Sequence, residues 1–263
     1  MIDEKNKFFE YGYSWEKEVQ SRGYYAYPAN DKGVVITKFN EDDYYSQFHT
    51  KKVVVPNKLN GLPVTGVGVN CFSRSHMEEI VLPNSVLTIG IQAFSTAQNL
   101  RSVDLGSSLV RIEGAAFEFC SALERIELPS SLVRIDDCAF ENTGLRSIEF
   151  PEGLRKIGVV AFSGCAKLER VIIPASVRHI GGGAFAGAPA TLDISPQNPY
   201  YASVADMLIT KDGKKLISYP GGVCYRDIPE GIEEIDDFAF DVFNDYPIPK
   251  FPKSVKDVGA YFF

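Results

Sequence analysis

The chain is poor in the residues that most often carry chemistry. Its 263 residues include three histidines, three methionines, one tryptophan and five cysteines. His49, His76 and His179 stand at unrelated positions, outside any metal-ligand or nucleophile spacing, so the usual enzyme signatures are missing. Five cysteines is an odd number, and none has a partner at zinc or redox spacing. No run of about 18 apolar residues occurs, which excludes a membrane-spanning helix. Positive charge is also scarce. Against 34 Asp and Glu there are 27 Lys and Arg, a net charge of −7, the wrong sign for a nucleic-acid face. The first ten residues are charged from Asp3 onward and hold no apolar signal core. A natural start at Met1 would place the chain in the cytoplasm, and a trimmed start would leave export open.

What the chain does have is a period. Ala-Phe returns at Phe94, Phe117, Phe140, Phe162 and Phe185, every 22 or 23 residues. Cys71-Phe72 opens the series, and Ala239-Phe240 and Ala260-Tyr261 extend it. Self-similarity at that period marks a solenoid, whose coils bury their apolar residues only by stacking. The clearest unit begins Leu123-Glu-Arg-Ile126-Glu-Leu128-Pro129 and ends Leu132-Val-Arg-Ile135-Asp-Asp-Cys138-Ala139-Phe140. The two-residue step from Ile126 to Leu128 is the period of a strand with one buried face. Pro83, Pro129, Pro151 and Pro174 end such strands because proline cannot donate to a ladder. The stretch before each Ala-Phe predicts a helical or 3₁₀ turn, begun by Gly90, Asp136, Gly158 or Gly181 as caps. Cys120 and Cys165 fill a position where other coils place Ala97, Thr143 and Ala188. A small buried residue explains them; a disulfide or redox site is the alternative.

The unit resembles the BspA-like subfamily of leucine-rich repeats, LxxIxLPxSLxxIgxxAFxxC, without a break from about residue 71 to 187 and again from Asp227 to Phe263. Val34 to Phe39, Val53 to Pro56 and Leu59 to Val67 look like that family's degenerate opening repeat. Asp206 to Pro220, with apolar pairs flanking Asp212-Gly213, reads as a hairpin and resembles the family's recurring insertion. The expected fold is therefore a right-handed, strand-rich leucine-rich-repeat solenoid of the α/β class, with short strands, helical or 3₁₀ turns and a projecting hairpin near 206–217. The expected divisions are a cap segment at 1–30, a first repeat at 31–70, regular repeats at 71–188, a hairpin-bearing repeat at 189–226 and terminal repeats at 227–263. The resemblance implies protein–protein interaction or adhesion, often at bacterial surfaces. It supplies no catalytic residue, metal or cofactor.

Three columns of side chains follow from stacking. The outward position of the first strand holds Val81, Asp104, Glu127, Glu149, Ile172 and Asp193. In register, its carboxylates would stand about 4.8 Å apart. This acidic stripe would suit a basic partner or serve only as a solvated face. Thr88, Arg111, Arg134, Lys156 and His179 form a basic column before the second Ile. Glu78, Arg101, Glu124, Arg146 and Glu169 alternate in sign, which favours pairing between neighbouring coils. Aromatics gather at Tyr11, Tyr13, Trp15, Tyr24, Tyr25 and Tyr27, then at Tyr44 and Tyr45, as a cap over the first coil or as a recognition surface. At the other end Tyr261-Phe-Phe263 has no polar cover.

Two loop motifs have structural explanations. Gly181-Gly-Gly183 imitates a phosphate loop but sits at a repeat position. Asp136-Asp137 and Asp236-Asp237 sit at turn starts, where capping accounts for them.

The leading function is a non-catalytic protein-interaction module. Its first candidate surface is the strand face, through Asp104, Glu127, Glu149 and Ile172 with Arg125, Ser147 and Arg170 alongside. The second is the hairpin tip at Lys211, Asp212 and Lys214. The alternatives are a cell-surface adhesin or carbohydrate-binding protein, and a self-assembling structural protein associating through its C-terminal end. The expected partner is a protein; nucleic acid, membrane insertion, metal and cofactor are not expected.

Overall fold

Backbone hydrogen bonds run mainly between coils, and that direction sets the architecture. In the computed structural model the described residues are 8–13, 33–221, 226–240 and 249–260. Trp15, Tyr24, Tyr25, Tyr27, Cys224 and Tyr261-Phe-Phe263 lie outside them.

Around each Ala-Phe the N–H groups divide by parity. Those of Gln92, Phe94 and Thr96 donate to the carbonyls of Gly114, Ala116 and Glu118 in the next coil, at 3.0, 2.7 and 2.7 Å. Those of Ala93, Ser95 and Ala97 close i→i−3 turns within the coil. Gln92 and Thr96 are left-handed, with φ of 54° and 62°, and so are their equivalents Ala115, Phe119, Cys138 and Asn142. The expected helical segment is thus a set of tight 3₁₀-like turns interrupted at two left-handed residues. An uninterrupted helix would consume the N–H groups that hold the next coil.

The turns stack the phenylalanines. Ring centroids of Phe72, Phe94, Phe117, Phe140 and Phe162 follow one another at 4.9–5.1 Å and within 8° of parallel. Phe185 continues the stack at 5.5 Å. All six are among the largest fully buried or nearly buried side chains. The Ile and Leu columns line the same interior, from Met77, Ile80 and Leu82 to Leu168, Val171 and Ile173. Cys120 and Cys165 belong to it, their thiols donating to the carbonyls of Phe94 and Phe140 one coil back, each at 3.2 Å. Burial pushes these thiols up to about 12 and about 11, away from reactive thiolate.

At the N-terminal end β1 (Phe9–Tyr13) runs antiparallel to β2 (Val34–Phe39). Helix α1 (Glu41–Phe48) follows. Glu41 and Asp42 occupy its first turn, where the helix dipole favours acids, and left-handed His49 (φ 49°) ends it. Phe8, Phe9, Phe39, Tyr44 and Phe48 pack edge to face or stacked over the first coil, and Phe39 meets Phe72 at 5.2 Å. These rings cap the described end of the solenoid.

Strands β3 (Lys52–Val54), β4 (Lys58–Leu59) and β5 (Leu62–Val67) complete the opening repeat. The regular coils contribute β6 (Glu79–Val81), β7 (Thr88–Ile89), β8 (Ser102–Asp104), β9 (Arg111–Ile112), β10 (Arg134–Ile135), β11 (Ser147–Glu149), β12 (Lys156–Ile157), β13 (Arg170–Ile173), β14 (His179–Ile180) and β15 (Thr191–Ile194). One long sheet, β1-β2-β5-β7-β9-β10-β12-β14, carries the second strand of each coil before the insertion. The first strands form two shorter sheets, β3-β6-β8 and β11-β13-β15.

The insertion corrects one expectation. β16 (Tyr201–Val204), β17 (Met207–Thr210) and β18 (Lys215–Ser218) form an antiparallel unit that pairs onward with β19 (Glu234–Ile235) and β20 (Asp257–Val258). It does not project, because β17 and β18 are buried on both faces. Leu208 and Ile217 join the main core, while Met207, Ile209 and Leu216 join a second one with Ile228, Ile232 and Ile235. Phe240 therefore stacks on Tyr219 at 4.9 Å and not on the phenylalanine column. Gly181-Gly-Gly183 lets the resumed coil pass, since a Cβ on Gly182 would lie 2.0 Å from the Asp237 carbonyl oxygen.

Asn198, 1% exposed, pins the insertion. Its Nδ2 donates to the Pro174 and Val177 carbonyls at 3.0 Å, and its Oδ1 accepts from the N–H groups of Tyr200 and Tyr201 at 2.9 and 3.0 Å. Asn198→Ala strips partners from all four groups and is expected to lower unfolding free energy by about 2–4 kcal/mol in denaturant titration. Phe140→Ala, which opens a void inside the stack, should cost about 3–5 kcal/mol by the same measurement.

Candidate functional site

Register along the first strands places the outward column as stacking predicts. Val54 faces Val81, and Val81 faces Asp104. Beyond the middle coil Glu149 faces Ile172, and Ile172 faces Asp193. The middle coil departs from this ladder. Residues 125–128 are not in a strand, and none of their N–H or C=O groups bonds to neighbouring backbone. Ile126 and Leu128 are half-buried, whereas Ile80, Leu82, Ile148 and Phe150 are buried at the same positions. The expected continuous run of Asp104, Glu127 and Glu149 is therefore broken at its centre. Stacked carboxylates would cost about 1 kcal/mol per pair in full water, and the ladder opens where that stack would stand.

The opening belongs to a groove of about 1130 Å³. Arg125, Glu127, Ser147, Glu149 and Ile172 line it from the coils, and Lys211 lines it from the insertion. One residue of the hairpin-tip candidate, Lys211, thus joins the strand face in one concavity, whereas Asp212 and Lys214 do not line it. Lys211 is anchored by an Nζ contact to the Pro196 carbonyl at 3.4 Å. Asp104 lies outside the groove and accepts from the Gly106 N–H at 3.0 Å. Arg170 turns to Asp193 at 2.7 Å. Asp212 shapes the hairpin turn, receiving the Thr210 hydroxyl at 2.6 Å and the Lys214 N–H at 3.1 Å. Lys214 pairs with Glu233 at 3.0 Å. Lysines 256 and 214 together hold the Glu233 carboxyl down at about 2.

Glu127, Glu149 and Arg125 make no ion pair or hydrogen bond with the described residues, so the groove keeps free charge of both signs. Sequence reasoning missed Glu152, another exposed groove carboxylate. Its place just after a strand-ending proline was the available signal.

The basic column has a different use. Arg111, Arg134, Lys156 and His179 stand in register on the long sheet and do not reach the stripe. Buried Asp136 takes Arg111 at 2.6 Å, Arg134 in a short contact and Lys156 at 3.7 Å. Asp136 is thus a buried counter-charge and not a turn cap. The capping falls to its neighbour, since Asp137 accepts the Val159 N–H at 2.9 Å. Asp237 does the same for Ala260 at 2.6 Å. The alternating column is realised in part: Arg146 meets Glu124 at 3.1 Å and Glu169 at 3.9 Å, whereas Arg101 forms no ion pair among the described residues.

No group of three or more His, Cys, Asp or Glu that could hold a metal occurs among the described residues. No helix among them is long and apolar enough to cross a membrane.

Comparison with known proteins agrees with this geometry. The profile of the BspA type leucine rich repeat region matches residues 65–191 in six copies. Residues 65–191, just under half of the chain, are thus similar to the BspA type of leucine-rich repeat. A leucine rich cell surface protein from Faecalibacterium prausnitzii is similar over 87% of this chain and 69% of its own, at 25% identity and a TM-score of 0.58. The Treponema pallidum (T. pallidum) leucine rich repeat protein is similar over 66% of this chain and 79% of its own, at 27% identity and a TM-score of 0.53. The pneumococcal vaccine antigen PcpA shares the fold, at 20% identity and a TM-score of 0.59 over 89% of this chain and 64% of its own. No curated protein sequence matches. Leucine-rich repeats of this kind are generally non-enzymatic interaction or surface modules.

Glu113 gives the electrostatics a measurable sign. It occupies the coil position before Asp136's, and Asp136 monopolises Arg111, leaving Glu113 at 4.0 Å. Burial raises its carboxyl to about 7. Between about pH 4.5 and 7 the unfolded chain releases a proton that the folded chain keeps, so stability falls as pH rises. Glu113→Gln should therefore gain about 1–3 kcal/mol over the native chain at pH 8 and little at pH 4, measured by urea unfolding at the two pH values.

Proposed function

We propose that this chain is a non-catalytic protein-interaction module that receives a partner in the strand-face groove. The observation that carries the reading is the convergence of Arg125, Glu127, Ser147, Glu149 and Ile172 with Lys211 around one concavity of about 1130 Å³. A rigid surface spread over several coils binds without ordering a loop, which lowers the entropic cost of association. Charged side chains without internal partners supply specificity, and the half-buried Ile126, Leu128 and Ile172 supply apolar contact. The site residues are Arg125, Glu127, Ser147, Glu149, Ile172 and Lys211. Asp104 and Arg170 border it, while Asp212 and Lys214 shape the insertion.

An adhesive role at a cell surface is the second reading, supported by the description of the Faecalibacterium prausnitzii relative as a cell surface protein. It uses the same groove with a partner on another cell.

Selection of a phage-displayed random peptide library tests the assignment. Peptides enriched on the native chain are expected to bind the triple variant Glu127→Arg, Glu149→Arg, Ile172→Glu at least about tenfold more weakly, with its circular dichroism and melting temperature unchanged. Enriched peptides that bind both proteins equally would remove the groove from the function.

A further inference from the structure

We infer that the column Leu87, Val110, Val133, Arg155 and Arg178 is a second docking surface, for a partner protein segment with aliphatic residues at one end and acidic ones at the other. None of the five residues lines the groove, so this surface is independent of the groove reading.

Three observations converge on it. First, backbone bonds hold the five residues in register on successive coils. The N–H groups of Val110, Val133, Arg155 and Arg178 donate to the carbonyls of Leu87, Val110, Val133 and Arg155, at 2.8, 2.9, 2.8 and 3.0 Å. Four steps of about 4.8 Å make a stripe about 19 Å long, within the reach of about six extended residues.

Second, the stripe is divided in character. Val110 and Val133 are 40% and 39% exposed, and Leu87 beside them is half-buried. A single exposed valine needs no explanation, but aliphatics on three adjacent coils form a continuous apolar strip. Where the strip stops, Arg155 and Arg178 take the same position, both exposed.

Third, the charge selects the guest. In the adjoining column, buried Asp136 takes up Arg111, Arg134 and Lys156. Arg155 donates to the Ser176 carbonyl at 3.2 Å, and neither Arg155 nor Arg178 forms an ion pair among the described residues. Guanidinium forks match carboxylates in a bidentate geometry. A basic guest would meet like charge there. A polyphosphate would satisfy the arginines but has nothing to lay on Val110 and Val133, so the aliphatic half favours a polypeptide.

The test uses a fluorescent heptapeptide, Val-Ser-Val-Ser-Glu-Ser-Glu, its reversed sequence, and copies of both with Gln for Glu. Each is titrated by anisotropy against the full chain. At least one direction is expected to bind, more weakly as salt rises, with its Gln copy at least about tenfold weaker. Arg155→Glu with Arg178→Glu should weaken binding at least about tenfold. Val110→Ser with Val133→Ser should weaken it several-fold. Circular dichroism and melting temperature of both variants should match the native chain.

Failure of both directions to bind, or equal binding by the Gln copy, overturns the inference without any variant. Undiminished binding to the arginine variant overturns it too. Native chain that binds phosphatidylserine-rich vesicles, and loses them in the arginine variant, would assign the face to a membrane surface and overturn the protein partner. A dimer of the chain that the peptide dissociates would assign it to a second copy, with the same consequence.

Discussion

The division of backbone donors between two directions is the constraint on which the molecule depends. At each Ala-Phe, half of the N–H groups close turns inside the coil and half reach the next coil. Left-handed residues at both ends of the segment make that division possible. The reward is a spacing of about 5 Å that suits both a parallel hydrogen-bonded ladder and stacked phenylalanine rings. Neither the ladder nor the ring stack could be lengthened alone, so successive coils keep one common spacing along the stack.

Most of this framework was legible because it is periodic. Ala-Phe spacing located the ring column, the Ile and Leu steps located the strands, and alternation across a strand placed Val81, Glu149, Ile172 and Asp193 on one outward line. Departures from the average coil were illegible for the same reason. Ile126 and Leu128 match the consensus as well as Ile148 and Phe150 do, and only the environment of the middle coil leaves them half-buried. The opening stands where like charges would stack on three successive coils, a collective property that no single unit displays. Helix α1 was hidden too, since one short element outside the repeat offers no period to read.

The insertion illustrates a signal that was present and underused. Met207-Leu208-Ile209 and Leu216-Ile217 are continuous apolar runs, which strands buried on both faces show and strands with one solvated face do not. Reading them as a hairpin gave the pairing correctly but left the unit outside the core. Its true place, as a layer within the solenoid, is what carries Lys211 to the strand-face groove. The proposed site, divided in the sequence between two distant segments, is one concavity because of that packing.

The layer also changes how the molecule can come apart. Leu208 and Ile217 serve one apolar interior, and Met207, Ile209 and Leu216 serve the other, so a single pair of strands is the party wall between two compartments. Removing the coils on the far side would expose Met207, Ile209 and Leu216 while Leu208 and Ile217 still closed the interior that holds the phenylalanine stack. The insertion thereby separates one apolar compartment from the other.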